Sequence, residues 1–298
     1  MLVSVLISPV ANADPAPNSV PCQESVARIV AADGSKSPPE SAAGLGFFCA
    51  RAETLKGCAS QEGRPISHLD LSGTPAGKRE KRILVFGLIH GDEPLSGRLA
   101  LEWAKRLGEI EPRNAWRVVP ILNPDGLLRL TRYNARGVDL NRNFPTLDWD
   151  REAAKYWERS QRKDPRRFPG ASAASEPETR CAIAHIKDFK PDFIVSIHTP
   201  YAVLDFDGPK MPFPAYRALP WRVLGNFPGS LGRYMWKDQG LPVLTIELKD
   251  KLLDPSGIQD VVGRLAIDAT KRLGGRGLRP VESLGLMHGP PGPASSAL

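Results

Sequence analysis

The sequence predicts an α/β fold: a mixed, largely parallel twisted sheet flanked by helices. Compact apolar runs at 83–89, 118–122, 193–197 and 243–246 alternate with segments of helical period, the pattern of a sheet buried on both faces. Turn and breaker residues bound these runs: Asn123-Pro124-Asp125-Gly126 closes the second, while Pro191-Asp192 and Leu241-Pro242 introduce the third and fourth. Three of the four runs are followed directly by His90, His198 or Glu247, and in an open α/β sheet the carboxyl ends of the strands are where ligands bind.

The helices follow from periodicity. Leu95, Leu99, Trp103 and Leu107 recur every four residues after the first run and mark one face of a helix. Ser175-Glu176-Pro177-Glu178 has the form of a capping box opening a helix through Ile183 and Ile186 to Phe189. A last amphipathic helix is expected over about 258–273.

The ends look peripheral. An apolar run at 2–10 precedes Ala11-Asn12-Ala13, a small-x-small cleavage signature, although no basic residue precedes the run. Segment 1–13 is therefore expected to be a signal-peptide remnant, which implies an exported, periplasmic protein. The Ala/Pro/Ser-rich 14–44 is expected to be a partly ordered leader and 275–298 a Pro/Gly-rich tail, leaving one domain at 45–274.

At 41% hydrophobic and 24% charged residues, the chain is no disordered polymer or coiled coil. No stretch reaches the roughly 18 apolar residues needed to cross a bilayer, so stable membrane insertion is not expected. The 29 prolines and 27 glycines exceed average usage and predict a loop-rich fold. Seven of those prolines fall between His198 and Glu247, where fixed φ angles can hold a long loop in shape. Net charge is +7 and 151–167 is rich in arginine. Acidic residues interrupt that stretch and no recognition motif accompanies it, so it is read as a solvated insertion and no nucleic-acid partner is expected. Of Cys22, Cys49, Cys58 and Cys181, Cys49 and Cys58 are the preferred disulfide pair, with free thiols as the alternative.

Glu93 follows His90 by three residues, across Gly91, and His198 supplies a distant third group at another strand end. Two imidazoles and one carboxylate, with water in the fourth position, form a catalytic zinc set. Further along, Asn134 to Pro145 contains Asp139, Asn141, Arg142 and Asn143 in close succession. A guanidinium fork there can pair bidentately with a carboxylate while the amides orient it. His68, His185 and His288 fit no ligand spacing and are expected on the surface or in the core.

Six motifs in order carry a family resemblance: His90-Gly91-Asp92-Glu93, Asn123-Pro124-Asp125-Gly126, Gly137-Val138-Asp139-Leu140-Asn141-Arg142-Asn143-Phe144, Ser175-Glu176-Pro177-Glu178, Ser196-Ile197-His198 and Thr245-Ile246-Glu247-Leu248. Over roughly 57–273 the chain resembles the zinc carboxypeptidases, the carboxypeptidase A-like fold. Within them it looks most like the bacterial murein peptide amidases, which cut the γ-D-glutamyl to meso-diaminopimelate bond of cell-wall peptides. The short span from Gly126 to Arg142 and the run Phe227-Pro228-Gly229-Ser230-Leu231-Gly232 carry that narrower likeness.

The resemblance implies that His90, Glu93 and His198 hold one Zn²⁺ and that Glu247 is the general base. It implies that Asn141 and Arg142 bind a substrate carboxylate, that Asp139 supports His90 from behind, and that Arg132 stabilises the oxyanion, with Arg129 or Arg136 as alternatives. The expected reaction is hydrolysis of an amide bond next to a C-terminal carboxylate, with a murein peptide as substrate. A general metallocarboxypeptidase, an N-acyl amino acid deacylase and a non-catalytic wall-binding protein are the competing readings. Oligomeric state is not legible.

Overall fold

The computed structural model describes residues 19–32, 46–73, 81–252 and 254–274. The expected signal remnant, the tail and His288 lie outside the described residues. One seven-stranded sheet organises the chain, comprising β1 (Glu53–Ala59), β2 (Pro65–Leu71), β3 (Arg82–Phe86), β4 (Ala115–Val119), β5 (Phe193–His198), β6 (Val203–Asp207) and β7 (Val243–Glu247). Their spatial order is β1-β2-β4-β3-β5-β7-β6. The four central strands β4, β3, β5 and β7 are parallel, whereas β1, β2 and β6 join antiparallel. The mixed, largely parallel sheet expected from the sequence is the one observed.

Helices cover both faces: α1 (Ser19–Ala32), α2 (Pro94–Glu109), α3 (Pro124–Arg129), α4 (Trp149–Arg159), α5 (Pro177–Phe189) and α6 (Pro255–Arg272). Alternation along the central strands divides the core. Ile83, Val85, Phe193, Val195 and Ile197 pack with α1, α2 and α6, including Ile29, Trp103 and Leu265. Leu84, Phe86, Ile194 and Val243 pack on the other side with Ile183, Ile186 and Phe189 of α5.

The expected leader at 14–44 contains α1, whose Val26 and Ile29 are buried in the core. Three local expectations are corrected. The disulfides are Cys22–Cys49 and Cys58–Cys181, not Cys49–Cys58. Cys49, at the end of a single helical turn at 46–49, meets α1, while Cys58 on β1 meets α5, so tertiary packing overrides closeness in sequence. Asn123–Gly126 is more than a turn: the Asn123 side chain accepts the Gly126 amide at 2.9 Å and caps α3. The capping box before α5 does not form, because other partners take its side chains. Ser175 Oγ bonds Glu176 Oε1 and Glu178 accepts from Asn134 Nδ2 and the Gln61 amide.

Candidate active site

Parallel strands deliver their carboxyl ends to one side of the sheet, and there a cavity of about 640 Å³ opens. His90, Glu93, Arg132, Asn141, Arg142, His198 and Glu247 all line it.

His90 follows β3, and Glu93 sits at the N-cap of α2 with Pro94 in the first turn. Ser96 ties this corner together, its hydroxyl donating to Glu93 O and accepting the Leu88 amide. The close approach needs glycine: a Cβ on Gly91 would lie 2.0 Å from the Gly126 carbonyl carbon. His198 ends β5, two residues after Ser196 and therefore on the same face.

The three side chains converge. His90 Nδ1 lies 2.8 Å from Glu93 Oε1, and His198 Nδ1 lies 3.1 Å from both His90 Nδ1 and Glu93 Oε2. Their other ring nitrogens are engaged behind, His90 Nε2 at 3.2 Å from Asp139 Oδ1 and His198 Nε2 at 2.7 Å from Ser196 Oγ. Each imidazole is thereby oriented with Nδ1 forward, the arrangement that outer hydrogen bonds impose on metal-binding histidines. Two ring lone pairs and a carboxylate focused on one point, with all ligand atoms within 4.8 Å of one another, suit a divalent zinc ion.

Electrostatics bind the group to its surroundings. Burial alone would lower the basicity of His90, and Arg132 adds to that, but Glu93 and Asp139 outweigh both and raise its pKa. Burial would raise Glu93 and Asp139, yet the facing imidazoles, with Arg132 at Asp139, hold both carboxyls well below their usual range. Asp139 is fully buried, accepting Arg132 Nε at 3.0 Å and the Asn141 amide at 3.0 Å.

Of the three arginines considered for the oxyanion, Arg132 alone lines the cavity. Its Nη1 is 3.3 Å from His90 Nδ1 and 3.7 Å from Glu93 Oε1. Arg129 turns away to Glu62 and the Asp125 carbonyl, and Arg136 lies beside Glu176. Glu247 ends β7 directly opposite His198 in the register. Burial pushes its pKa up, and the Tyr201 amide is 3.5 Å from its Oε2.

Arg142 is set by a docked loop. Leu231 N donates to Asn141 Oδ1, Phe144 N donates to Gly229 O, and a Cβ on Gly229 would fall 1.8 Å from Arg142 O. The guanidinium lies 4.8 Å from the Phe227 ring centre, donates through Nη1 to the Asn141 carbonyl and leaves its buried Nε without a partner. Asn143 instead faces inward, holding Pro169 O, Ser172 O and Ser175 Oγ.

Several lining residues were not singled out from the sequence. Arg166 and Arg167 reach the cavity from the segment read as a solvated insertion, which corrects that reading in part; Arg166 pairs with Asp92 at 2.6 Å. Tyr201, Asp205 and Asp207 come from the chain just after His198, where the alternation Val203-Leu204-Asp205-Phe206-Asp207 was the available signal. His68 and His185 are in the core, as expected.

Comparison with known proteins agrees with this geometry. Residues 50–206 match the family model described as zinc carboxypeptidase. Murein peptide amidase A of Escherichia coli strain K12 is 37% identical over 133 residues, 44% of this chain and 54% of that protein. The chain thus spans about half the length of the murein peptide amidases it matches. Among solved structures, carboxypeptidase A from Helicoverpa armigera shares the fold with a TM-score of 0.53 and 18% identity, over 84% of this chain and 79% of that one. Bovine thrombin-activatable fibrinolysis inhibitor does so with a TM-score of 0.54 and 18% identity, over 81% and 99%. With the matched segment running through more than half of its length, the chain belongs to the zinc carboxypeptidase family.

Proposed function

We propose that this protein is a zinc-dependent metallopeptidase that hydrolyses the amide bond between γ-D-glutamate and meso-diaminopimelate in murein peptides. The observation that carries the reading is the meeting, in one cavity, of the His90, Glu93 and His198 ligand set, the buried Glu247 carboxylate and the Arg142 guanidinium. The murein specificity draws support from the 37% identity to murein peptide amidase A.

The ligand triad would hold one Zn²⁺, which when bound would supply Lewis acidity and lower the pKa of a bound water to around 7. Arg142 and Asn141 bind the substrate carboxylate, the guanidinium through paired N–H donors. Glu247 accepts a proton from the attacking water at its carboxylate and returns it to the leaving amine nitrogen; its raised pKa suits both halves of that transfer. Arg132, held by Asp139, directs positive charge toward the carbonyl oxygen as negative charge develops there.

Periplasmic residence belongs to the same proposal. Its support is the apolar run before Ala11-Asn12-Ala13 and the pairing of all four cysteines in disulfides, which favours an oxidising compartment. Incubating the zinc-loaded protein with L-Ala-γ-D-Glu-meso-diaminopimelate, with ordinary C-terminal peptides and with N-acyl amino acids, followed by mass spectrometry, tests the function. Free diaminopimelate released from the murein peptide alone is the expected result. Cleavage confined to ordinary peptides overturns the murein specificity, and cleavage of N-acyl amino acids alone favours a deacylase.

A further inference from the structure

We propose that Asp205 and Asp207 recognise an ammonium group on the side chain of the residue C-terminal to the scissile bond. This rests on the reading of the cavity as a peptidase site and adds the chemistry of the side chain it selects.

The register places the two carboxylates. Strand β6 runs antiparallel to β7, with Val203 opposite Glu247, Asp205 opposite Thr245 and Asp207 opposite Val243. At ~3.4 Å per residue, Asp205 and Asp207 stand ~7 and ~14 Å along the strand from the level of Glu247. Being two apart, they share a face, and both line the cavity together with Thr245 and Glu247. Between and before them, Phe206 and Leu204 turn to the opposite face and join the core. The acidic face is therefore the wall of a recess that descends from the proposed base.

Two carboxylates in such a wall need compensation, because a buried charge is costly unless paired. Among the described residues no Lys or Arg forms an ion pair with either. Asp205 receives the Leu224 amide and Asp207 the Asn226 side-chain amide, which are neutral donors. Lys237 lies near enough to act on Asp207 without forming an ion pair, but burial, with the charge of Asp205 alongside, outweighs it and pushes the pKa of Asp207 up to about 6. Space is reserved as well: a Cβ on Gly232 would come within 2.3 Å of Asp207 Oδ2.

An independent feature of the same cavity points to a charged ligand. Arg142, only 7% exposed, lines it with an unpartnered Nε. A ligand that presents a carboxylate to Arg142 and an ammonium to the β6 wall satisfies both, whereas a neutral side chain leaves two desolvated carboxylates unpaired.

The test is calorimetric binding to zinc-loaded Glu247→Gln protein, which reads preference without turnover. Two peptide pairs differ by one ammonium group: L-Ala-γ-D-Glu linked to meso-diaminopimelate or to 2-aminopimelate, and benzoyl-Gly linked to lysine or to norleucine. At pH 7.5 the ammonium member of at least one pair is expected to bind about tenfold tighter or more. Adding Asp207→Asn, or Asp205→Asn with Asp207→Asn, should bring that ratio within about threefold, since the amide keeps shape and hydrogen bonding but not charge. No preference in the protein with both aspartates intact, or a preference unchanged in the Asn variants, overturns the inference. The murein reading is judged separately, by which of the two ammonium peptides the unsubstituted protein cleaves.

Discussion

Asp139 Oδ1 lies 3.2 Å from His90 Nε2, while Oδ2 of the same carboxylate accepts Arg132 Nε at 3.0 Å. One buried acid therefore orients the first proposed ligand and the guanidinium beside it. Asp139→Asn keeps the shape but weakens the hold on the imidazole and leaves Arg132 partly uncompensated. Zinc affinity, measured by competition with a chromophoric chelator, should fall about 10- to 100-fold, with the fold retained by circular dichroism.

Glu247 is opposite His198 in the sheet yet makes no contact with the converged ligand atoms among its described hydrogen bonds. Glu247→Gln is accordingly expected to retain one zinc per chain by elemental analysis. Turnover should drop by about 10²- to 10⁴-fold, the range for loss of a general acid–base group. Loss of zinc in that variant would place Glu247 among the ligands instead.

Much of this site was legible because its residues sit where strands end. His90, His198 and Glu247 each close an apolar run, and a parallel sheet brings such ends together. The β6 acids were not legible in the same way. An edge strand with alternating Leu204, Asp205, Phe206 and Asp207 has the pattern of one solvated face, and only the loop at 224–232 folding over it converts that face into a cavity wall. Arg166 and Arg167 were hidden for a related reason: a charge-rich helix and turn carry no signal for which few residues turn inward. The Ser175-Glu178 motif misled because capping competes with tertiary partners, and here Asn134, Asn143 and Gln61 claim the side chains.

Gly91 and Gly126 let the corner after β3 touch α3, and the obstruction to a methyl group at Gly91 is backbone, not a movable side chain. Gly91→Ala must displace either the 90–93 corner or α3. A loss of about 1–3 kcal/mol in stability is expected from overpacking. Zinc affinity should fall with it, because His90 and Glu93 flank the displaced residue. Unchanged chelator competition would show that the corner relaxes without moving its ligands.

The Cys58–Cys181 disulfide joins β1 to α5 across 123 residues of sequence. Closing so long a loop constrains the unfolded chain strongly, and replacing both cysteines by serine should cost about 2–5 kcal/mol. Denaturant melts of the Cys58→Ser, Cys181→Ser double variant would measure it. The Cys22–Cys49 bridge closes only 27 residues, so its removal should cost less by the same argument.

His185 stands beside that disulfide, with Cys58 Sγ 3.9 Å from Nε2 and the His68 ring 4.9 Å away, and its Nδ1 has no partner. Burial, reinforced by His68 and Arg117, pushes its pKa from 6.5 down to about 3. The unfolded chain therefore takes up a proton near pH 6.5 that the folded protein refuses until about pH 3. Stability is greatest above pH 6.5 and declines as the pH falls through that window, with a slope of up to about 1.4 kcal/mol per pH unit for one group. Burial lowers His68 in the same direction. Glu93 and Asp139, whose pKa values are depressed, lose their contribution only below their ordinary 4.5 and 3.8. Burial raises Asp207 to about 6 and raises Glu247, and these carboxyls work in the opposite sense as the pH falls. The share of His185 is therefore read between pH 7 and 5 as the difference between two proteins. From pH 7 to 5 the unsubstituted protein should lose more melting temperature than the His185→Gln variant, the difference being the share of His185. An equal slope in both proteins would leave His185 no share.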